Sequence, residues 1–330
     1  MIRLNHSIKL PDRVDVEHAL KLTSELITET LENTPSVISD ITKHLAKSQG
    51  KGIRTSVLLN CAIDNEGYVS HEAIRAAAAI EIFHMATLVH DDVIDDAPLR
   101  RGIQSIQNKF GKKQAVICGD YLLCIAFSTI NNIYEPYMKL LPDFSKAMAR
   151  VCLGELNQYK NNSNIDLDIW GYFKIISGKT AALFYLSAYA GAIIGGSSEK
   201  EAKNVARYGQ YLGMVFQIID DCKDYEFDEG EALKPVKSDL AESVITLPLI
   251  LAISKDSSLR DMSKKALESK QGIADIIKSV CNLGGPRDAK DIAAKYCRKA
   301  EKILERIDNS KKRTALLSIL NKAFCASNKF

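Results

Sequence analysis

The chain has 330 residues, of which 46% are hydrophobic and 26% are charged, so a large folded core is expected and wholesale disorder is excluded. Its 44 lysines and arginines nearly balance 41 aspartates and glutamates, and a net charge of +3 gives no support for nucleic-acid binding through general basicity. The 8 cysteines form no CxxC pair and are irregularly spaced. This usage indicates reduced thiols in a cytoplasmic protein rather than a disulfide framework or a zinc site.

Neither a signal peptide nor a transmembrane segment is predicted. Residues 1–12 contain no apolar segment of the kind that signal peptides carry. The uncharged run 180–198 loses its apolar character after Ile194, which leaves it short of the roughly 20 residues that span a bilayer. We interpret this run as a helix buried on nearly all sides within a helical protein.

The predicted fold is all-α, because apolar residues recur at helical spacing and strand-like alternation is nearly absent. No linker rich in Ser, Gly or Pro divides the chain, so residues 1–330 are predicted to form a single large domain of many helices. The predicted breaks between helices fall at turn-forming residues, which include Asn65-Glu66-Gly67, Ala97-Pro98, Gly195-Gly196, Asp228-Glu229-Gly230 and Gly284-Gly285-Pro286.

The first motif with a chemical signature is basic. Gly50-Lys51-Gly52-Ile53-Arg54 places a lysine and an arginine where a helix is predicted to begin. Backbone N–H groups at a helix start favour anions, and arginine makes forked contacts with phosphate oxygens. The motif is no P-loop, because the required spacing and the preceding strand are missing. A solvated basic turn is the alternative interpretation of this motif alone.

An acidic motif follows at the end of a long predicted helix that begins after Ser70. In the segment 91–96, Asp91 and Asp95 are four residues apart and share one helical face. The helix dipole and mutual repulsion both oppose these carboxylates, which predicts that a cation stabilises them. His84 lies seven residues before Asp91 on the same face and is a candidate phosphate contact.

The acidic pattern occurs a second time, in Asp220-Asp221-Cys222-Lys223-Asp224, again late in an apolar predicted helix. One such motif alone is compatible with a solvated surface turn, but two in this setting predict metal sites. Carboxylate-only ligands favour Mg²⁺, which keeps several waters and binds substrate phosphates. Arg100-Arg101 and Lys179-Thr180 add two further basic sites. The combination predicts that the protein binds two diphosphate groups.

These motifs together resemble those of trans-isoprenyl diphosphate synthases, the polyprenyl synthetase family, over most of the chain from about Gly50 onward. The pieces that carry the resemblance are 84–96, Arg100-Arg101-Gly102, 177–182, 216–221, 234–240 and Ile245-Thr246-Leu247-Pro248. The resemblance implies an all-α bundle around a deep central cavity, usually in a homodimer.

The resemblance also implies the reaction. Mg²⁺ held by Asp91, Asp95 and Asp220 binds an allylic diphosphate and neutralises the diphosphate as it leaves. The double bond of isopentenyl diphosphate attacks the allylic cation, and proton loss gives a trans double bond. The aspartates implied to support the metal ions are Asp92, Asp221 and Asp224. The implied contacts to isopentenyl diphosphate are Lys51, Arg54, His84 and Arg101. The implied contacts to the allylic substrate are Arg100, Lys179, Thr180 and Gln217, with Lys179 also counted among the catalytic residues.

Two positions depart from the family pattern. Gly52 and Val244 stand where the family often has arginine and lysine, so one diphosphate contact is expected to be missing. Lys234 is the candidate replacement contact, with Lys223 and Lys237 as alternatives.

Product length is predicted from the residues one helical turn before Asp91, which act as a floor to the product cavity in the family. Here they are Ala86 and Thr87, both small, which favours a medium- or long-chain product of roughly C30–C50. Phe83, Phe127 or Tyr121 could close the cavity more deeply. A long product would partition into membranes.

Three alternatives stay open. The first is a short-chain farnesyl or geranylgeranyl diphosphate synthase. The second is a terpene cyclase, which shares DDxxD but needs no second diphosphate site; the second DDxxD together with Lys51 and Arg54 argues against it. The third is a non-catalytic partner subunit of a synthase, which the retention of both aspartate motifs disfavours.

Overall fold

The computed structural model describes residues 8–48, 50, 52–131, 137, 140–225 and 239–325. The all-α prediction is confirmed, because helices make up nearly all regular structure in these residues. In chain order the helices are α1 (Val16–Glu32), α2 (Ser36–Ala46), α3 (Ile53–Cys61), α4 (His71–Ile94), α5 (Ile106–Phe110), α6 (Lys112–Asn131), α7 (Leu141–Lys160), α8 (Ile169–Ile176), α9 (Ala182–Ile194), α10 (Glu199–Lys223), α11 (Leu247–Lys255), α12 (Ser258–Ser269), α13 (Ile273–Asn282), α14 (Gly285–Leu304) and α15 (Ser310–Phe324). A π-helical turn, Ser177–Ala181, joins α8 to α9.

Two short antiparallel pairs complete the described structure. Strands β1 (Arg13–Val14) and β2 (Val69–Ser70) pair with Arg13 opposite Ser70. Strands β3 (Leu99–Arg100) and β4 (Ile103–Gln104) pair with Leu99 opposite Gln104.

The chain divides into two compact units, each assembled from separated segments. Unit 1 comprises Met1–Ser145, Leu186–Ala206 and Asn309–Lys312, and unit 2 comprises Lys146–Tyr185, Arg207–Asp308 and Arg313–Phe330. The sequence interpretation of residues 1–330 as a single domain stays a prediction.

Helix α4 is the central element of unit 1 and packs against α1, α3 and α6. Its residues 76–83 are all buried, including four consecutive alanines at 76–79 that combine high helix propensity with close helix packing. The helix begins directly after Ser70, as predicted, and ends at Ile94. Asp96 then adopts a left-handed backbone with φ of 51°, and this conformation carries the chain out of the helix.

The uncharged run 180–198 forms the buried helix that its composition predicted. Leu183, Leu186 and Ala190 of α9 are each at most 3% exposed, and the helix ends at Ile194 before the predicted Gly195-Gly196 break. Within unit 1, a Cβ at Gly191 would lie 2.2 Å from the carbonyl oxygen of Leu58. Glycine is therefore required where α9 crosses α3.

Among the residues that the structure describes, two helices are long and apolar enough, by length and composition alone, to cross a membrane. They are α4 and residues Lys112–Ile130 of α6, whose most apolar windows are 72% and 44% buried within the protein. Core helices of soluble proteins pass the same test, and burial of most of the α4 window matches such a helix.

Candidate active site

The first acidic motif of unit 1 contains one anchored and several more accessible carboxylates. Asp92 is 3% exposed, and Arg100 donates from Nε to its Oδ1 at 2.8 Å and also from Nη2 to the same oxygen. Asp91 is half-buried and Asp95 is exposed at the end of α4. The motif thus separates a buried aspartate held by an arginine from carboxylates that a cation can reach.

A tight hairpin turn between β3 and β4 sets the directions of the neighbouring arginines. Arg101 and Gly102 both have positive φ, 51° and 81°, which is the pattern of a type I′ turn. Arg100 reaches Asp92, whereas Arg101 donates from Nη1 to the carbonyl oxygen of Ser48 at 2.6 Å. The turn therefore directs the side chains of the consecutive Arg100 and Arg101 to different partners in unit 1, one on α4 and one after α2.

Arg54, His84 and Arg101 form a basic group in unit 1. Arg54 Nη1 lies 3.0 Å from His84 Nε2. Burial and then the charges of Arg54, Arg101 and Arg100 lower the pKa of His84 well below its ordinary value, so the ring is neutral. Its Nε2 must accept from Arg54, which leaves the proton on Nδ1. Burial also lowers the pKa of Arg54 to about 10. An anion would relieve this concentration of positive charge.

Two glycines shape the loop before α3. Gly52, at the N-terminus of α3, has φ of 58°, a left-handed conformation that favours glycine. It stands at the position where the family often has arginine. A Cβ at Gly50 would lie 2.4 Å from the Arg101 guanidinium, so glycine lets that side chain approach the loop. Lys51 lies outside the described residues.

The second acidic motif, in unit 2, repeats the arrangement of the first. Asp221 is 4% exposed and accepts from Tyr172 OH at 2.6 Å and from Gln217 Nε2 at 2.7 Å. Asp220 is exposed and contacts Lys223 Nζ at 2.8 Å. Burial, followed by the neighbouring carboxylates of Asp220 and Asp224, raises the pKa of Asp221. A nearby cation would lower this electrostatic cost.

Asp239 brings a further carboxylate to the second motif. Its backbone N–H donates to Asp224 Oδ2 at 2.7 Å. Burial and the nearby Asp221 raise the pKa of Asp239. Asp239 stands within the segment 234–240 that carries the family resemblance, but no spacing pattern in the sequence assigns it a role.

The π-helical turn positions Lys179 and Thr180. Lys179 Nζ lies 3.0 Å from Glu155 Oε2 on α7, and Thr180 Oγ1 donates to Gln217 Oε1 at 2.6 Å. A Cβ at Gly154 would lie 2.2 Å from the backbone nitrogen of Lys179, so glycine is required for this close approach. No sequence signal pointed to Glu155.

Residues of the second acidic motif and of the π-helical turn line one cavity of about 80 Å³ in unit 2. The lining residues discussed above are Lys179, Gln217, Asp221, Tyr172, Asp239 and Val244. Val244 therefore lies on the wall that Lys179 also lines, at the position where the family often has lysine. Lys234 and Lys237, two of the candidate replacements, lie outside the described residues, and the third, Lys223, contacts Asp220.

The described residues contain no group of three or more His, Cys, Asp or Glu side chains arranged to hold a metal ion by themselves. Mg²⁺ does not require one, because it usually binds through one or two carboxylates together with waters and substrate phosphates. Asp91 and Asp95 in unit 1, and Asp220 in unit 2, are carboxylates of this kind. Within each unit these carboxylates therefore fit a hydrated hard cation that binds with a phosphate-bearing substrate.

The residues predicted to set product length lie in the core of unit 1. Ala86 is fully buried, and Thr87 is half-buried with its hydroxyl donating to the carbonyl oxygen of His84 at 2.8 Å. One turn earlier, Phe83 makes an edge-to-face contact with Phe144, which makes a second one with Phe127. Two of the three bulky residues considered as deeper barriers thus belong to one aromatic cluster.

Comparison with known proteins agrees with these features. Residues 35–283 match the family described as Polyprenyl synthetase. The chain is 32% identical over 295 residues to heptaprenyl diphosphate synthase component 2 of Bacillus subtilis (strain 168), covering 89% of this chain and 84% of the relative. It is also 32% identical over 305 residues to a short chain isoprenyl diphosphate synthase of Methanothermobacter thermautotrophicus, covering 91% and 94%.

A solved structure shows the same likeness in three dimensions. It is a polyprenyl synthase from Caulobacter crescentus CB15 complexed with calcium and isoprenyl diphosphate. The TM-score is 0.82 at 28% sequence identity, and the match covers 94% of this chain and 95% of that one.

Proposed function

The chain belongs to the polyprenyl synthetase family and is a trans-prenyltransferase, and we propose that it condenses isopentenyl diphosphate with an allylic diphosphate in a Mg²⁺-dependent reaction. One observation carries this proposal: each DDxxD motif combines a buried, anchored aspartate with accessible carboxylates. Each unit also supplies basic side chains for a diphosphate.

We assign the metal-ligand role to the accessible carboxylates Asp91, Asp95 and Asp220. Bound Mg²⁺ would neutralise charge on the allylic diphosphate as it leaves. We also assign Lys179, with Thr180 and Gln217 beside it in unit 2, to binding of the allylic diphosphate. The anchored Asp92 and Asp221, together with Asp224, support the accessible carboxylates and contribute charge to each motif.

Arg54, His84 and Arg101 are the proposed contacts to isopentenyl diphosphate. Arg54 and Arg101 supply fixed positive charge, and neutral His84 supplies its Nδ1 proton as a hydrogen-bond donor. Because His84 Nε2 already accepts from Arg54, His84 is a poor base for the proton that the condensed product must lose. We therefore assign that proton to the released diphosphate.

The proposed product is an all-trans polyprenyl diphosphate of roughly C30–C50. Ala86 and Thr87 supply little bulk one turn before Asp91. Relatives at equal identity include a heptaprenyl synthase component and a short chain synthase, so similarity favours neither length. A farnesyl or geranylgeranyl diphosphate synthase is the alternative, which the aromatic cluster of Phe83, Phe127 and Phe144 would favour if it closes the product cavity.

We further propose a cytoplasmic homodimer without a transmembrane segment, whose product enters membranes. A requirement for a partner subunit is the second candidate arrangement, because one relative is named as component 2 of its synthase. Retention of both aspartate motifs makes this chain the catalytic member of any such pair.

Incubation of the purified chain with isopentenyl diphosphate, farnesyl diphosphate and Mg²⁺ tests the proposal. Mass spectrometry should find prenyl diphosphates that grow in steps of one isoprene unit up to C30 or beyond. A product that stops at C20 would refute the long-chain assignment. An inert chain that activates another synthase would establish the non-catalytic alternative.

A further inference from the structure

A chain of hydrogen bonds ties the second acidic motif to α8 and to the π-helical turn. Thr180 donates to Gln217, Gln217 donates to Asp221 Oδ1, and Tyr172 donates to Asp221 Oδ2. The three donor–acceptor distances lie between 2.6 and 2.7 Å, and all four residues belong to unit 2. Both oxygens of the Asp221 carboxylate therefore have a protein donor.

The helix that carries Tyr172 is capped at its start, and the tyrosine side chain is buried. The Asp168 carboxylate caps the start of α8 by accepting from the Gly171 backbone N–H at 2.7 Å. The side chain of Tyr172 is 2% exposed, so water does not compete for its hydroxyl. Burial and the carboxylate of Asp221 raise the pKa of Tyr172 well above its ordinary value, so the hydroxyl stays a donor across the working pH range.

We propose that Tyr172 is a positioning residue for the prenyl transfer reaction, which fixes the carboxylate of Asp221, next to the accessible Asp220 in the chain, in the wall of the cavity that Lys179 also lines. This inference rests on the proposed function of the second acidic motif. Asp221 is the most buried carboxyl group of the second acidic motif. Its two donors favour the ionised form against the effect of burial and hold the carboxylate in one orientation, without Asp221 binding the metal ion itself.

Tyr172→Phe is the direct test, because it removes one hydroxyl and leaves the ring in place. Asp221 then keeps only the donor from Gln217, and its buried Oδ2 loses its hydrogen-bond partner, so the carboxylate is no longer held in one orientation. We expect kcat to fall about tenfold and the half-saturating Mg²⁺ concentration to rise several-fold. The KM for isopentenyl diphosphate should stay within about twofold, because its proposed contacts belong to unit 1.

A second measurement does not depend on catalysis. Electron paramagnetic resonance measures the concentration of free Mn²⁺ while Mn²⁺ is titrated into a solution of the protein and inorganic diphosphate. Tyr172→Phe should weaken Mn²⁺ binding several-fold relative to the unsubstituted protein. Gln217→Met removes the other donor to Asp221 and serves as the test variant if Tyr172→Phe does not fold. Because Gln217 is also a proposed diphosphate contact, its effect is measured with Mn²⁺ titrated in the absence of diphosphate, where binding should weaken in the same direction.

Tyr208→Phe is the matched control. Tyr208 is also a buried tyrosine of unit 2, and its hydroxyl donates to the carbonyl oxygen of Leu316 at 2.7 Å, outside the acidic motif. This variant should lower thermal stability while leaving kcat and Mn²⁺ affinity unchanged. If Tyr172→Phe behaves in the same way, Tyr172 has a structural role only and the inference is wrong. Absence of prenyl transfer in the unsubstituted protein would instead refute the proposed function.

Discussion

The ion pair between Asp92 and Arg100 makes a quantitative prediction for folding stability. The side chain of Asp92 is 4% exposed and that of Arg100 is 33% exposed. Removing one partner of a fully buried pair costs about 3–5 kcal/mol, because the remaining charge stays buried. Water can replace part of the interaction at the exposed side of Arg100. We therefore expect Arg100→Met to lower the free energy of unfolding by about 2 kcal/mol.

Urea denaturation followed by circular dichroism measures this effect in a double-mutant cycle. The cycle needs Arg100→Met, Asp92→Asn and the variant with both substitutions. The asparagine in Asp92→Asn carries no charge, so the double variant contains no buried charge without a partner. Its free energy of unfolding should therefore fall by less than the sum of the two single effects. The expected coupling energy is about 1–2 kcal/mol. Single effects that add to within about 0.3 kcal/mol would show that Arg100 does not stabilise the buried carboxylate.

Asp91→Ala should lower the rate of product formation at least about a hundredfold, and the exposed Asp40→Ala should leave it unchanged. A near-normal rate for Asp91→Ala would remove Asp91 from the metal ligands. Chelation of divalent ions by EDTA should abolish prenyl transfer, and excess Mg²⁺ should restore it; activity that persists in EDTA would contradict a metal-dependent reaction. Ala86→Phe should shorten the product measured by mass spectrometry, and an unchanged product would exclude Ala86 from the cavity floor. Gly191→Ala should lower the free energy of unfolding by about 1–3 kcal/mol, because the added Cβ would lie 2.2 Å from the carbonyl oxygen of Leu58. An unchanged urea midpoint would show that α9 adjusts without cost.

The sequence predicted the features that depend on local spacing. Apolar periodicity identified the all-α class, and Ser70 marked the start of α4. The i,i+4 spacing placed Asp91 and Asp95 together at a helix C-terminus, and in the structure Asp91 lies in the last turn of α4 while Asp95 is the residue that caps it. These predictions succeed because helix geometry fixes the relative positions of residues three or four apart.

The partners of the buried aspartates depend on tertiary packing instead. Tyr172 and Asp221 are 49 residues apart in the chain, and no spacing rule relates a residue of α8 to one of α10. Helical geometry indicates that Asp92 lies on a different face from Asp91, but it does not identify Arg100 as its partner. The same holds for Lys179 and Glu155, which meet because glycines let α7 approach the π-helical turn.

The stoichiometry of the reaction tests the central claim most directly. In one vessel, isopentenyl diphosphate consumed and diphosphate released are measured together with farnesyl diphosphate and Mg²⁺ present. Prenyl transfer predicts one diphosphate released for each isopentenyl diphosphate consumed, with no release when isopentenyl diphosphate is omitted. Release of diphosphate from farnesyl diphosphate alone, with no isopentenyl diphosphate consumed, would contradict the account and indicate a cyclase or a hydrolase.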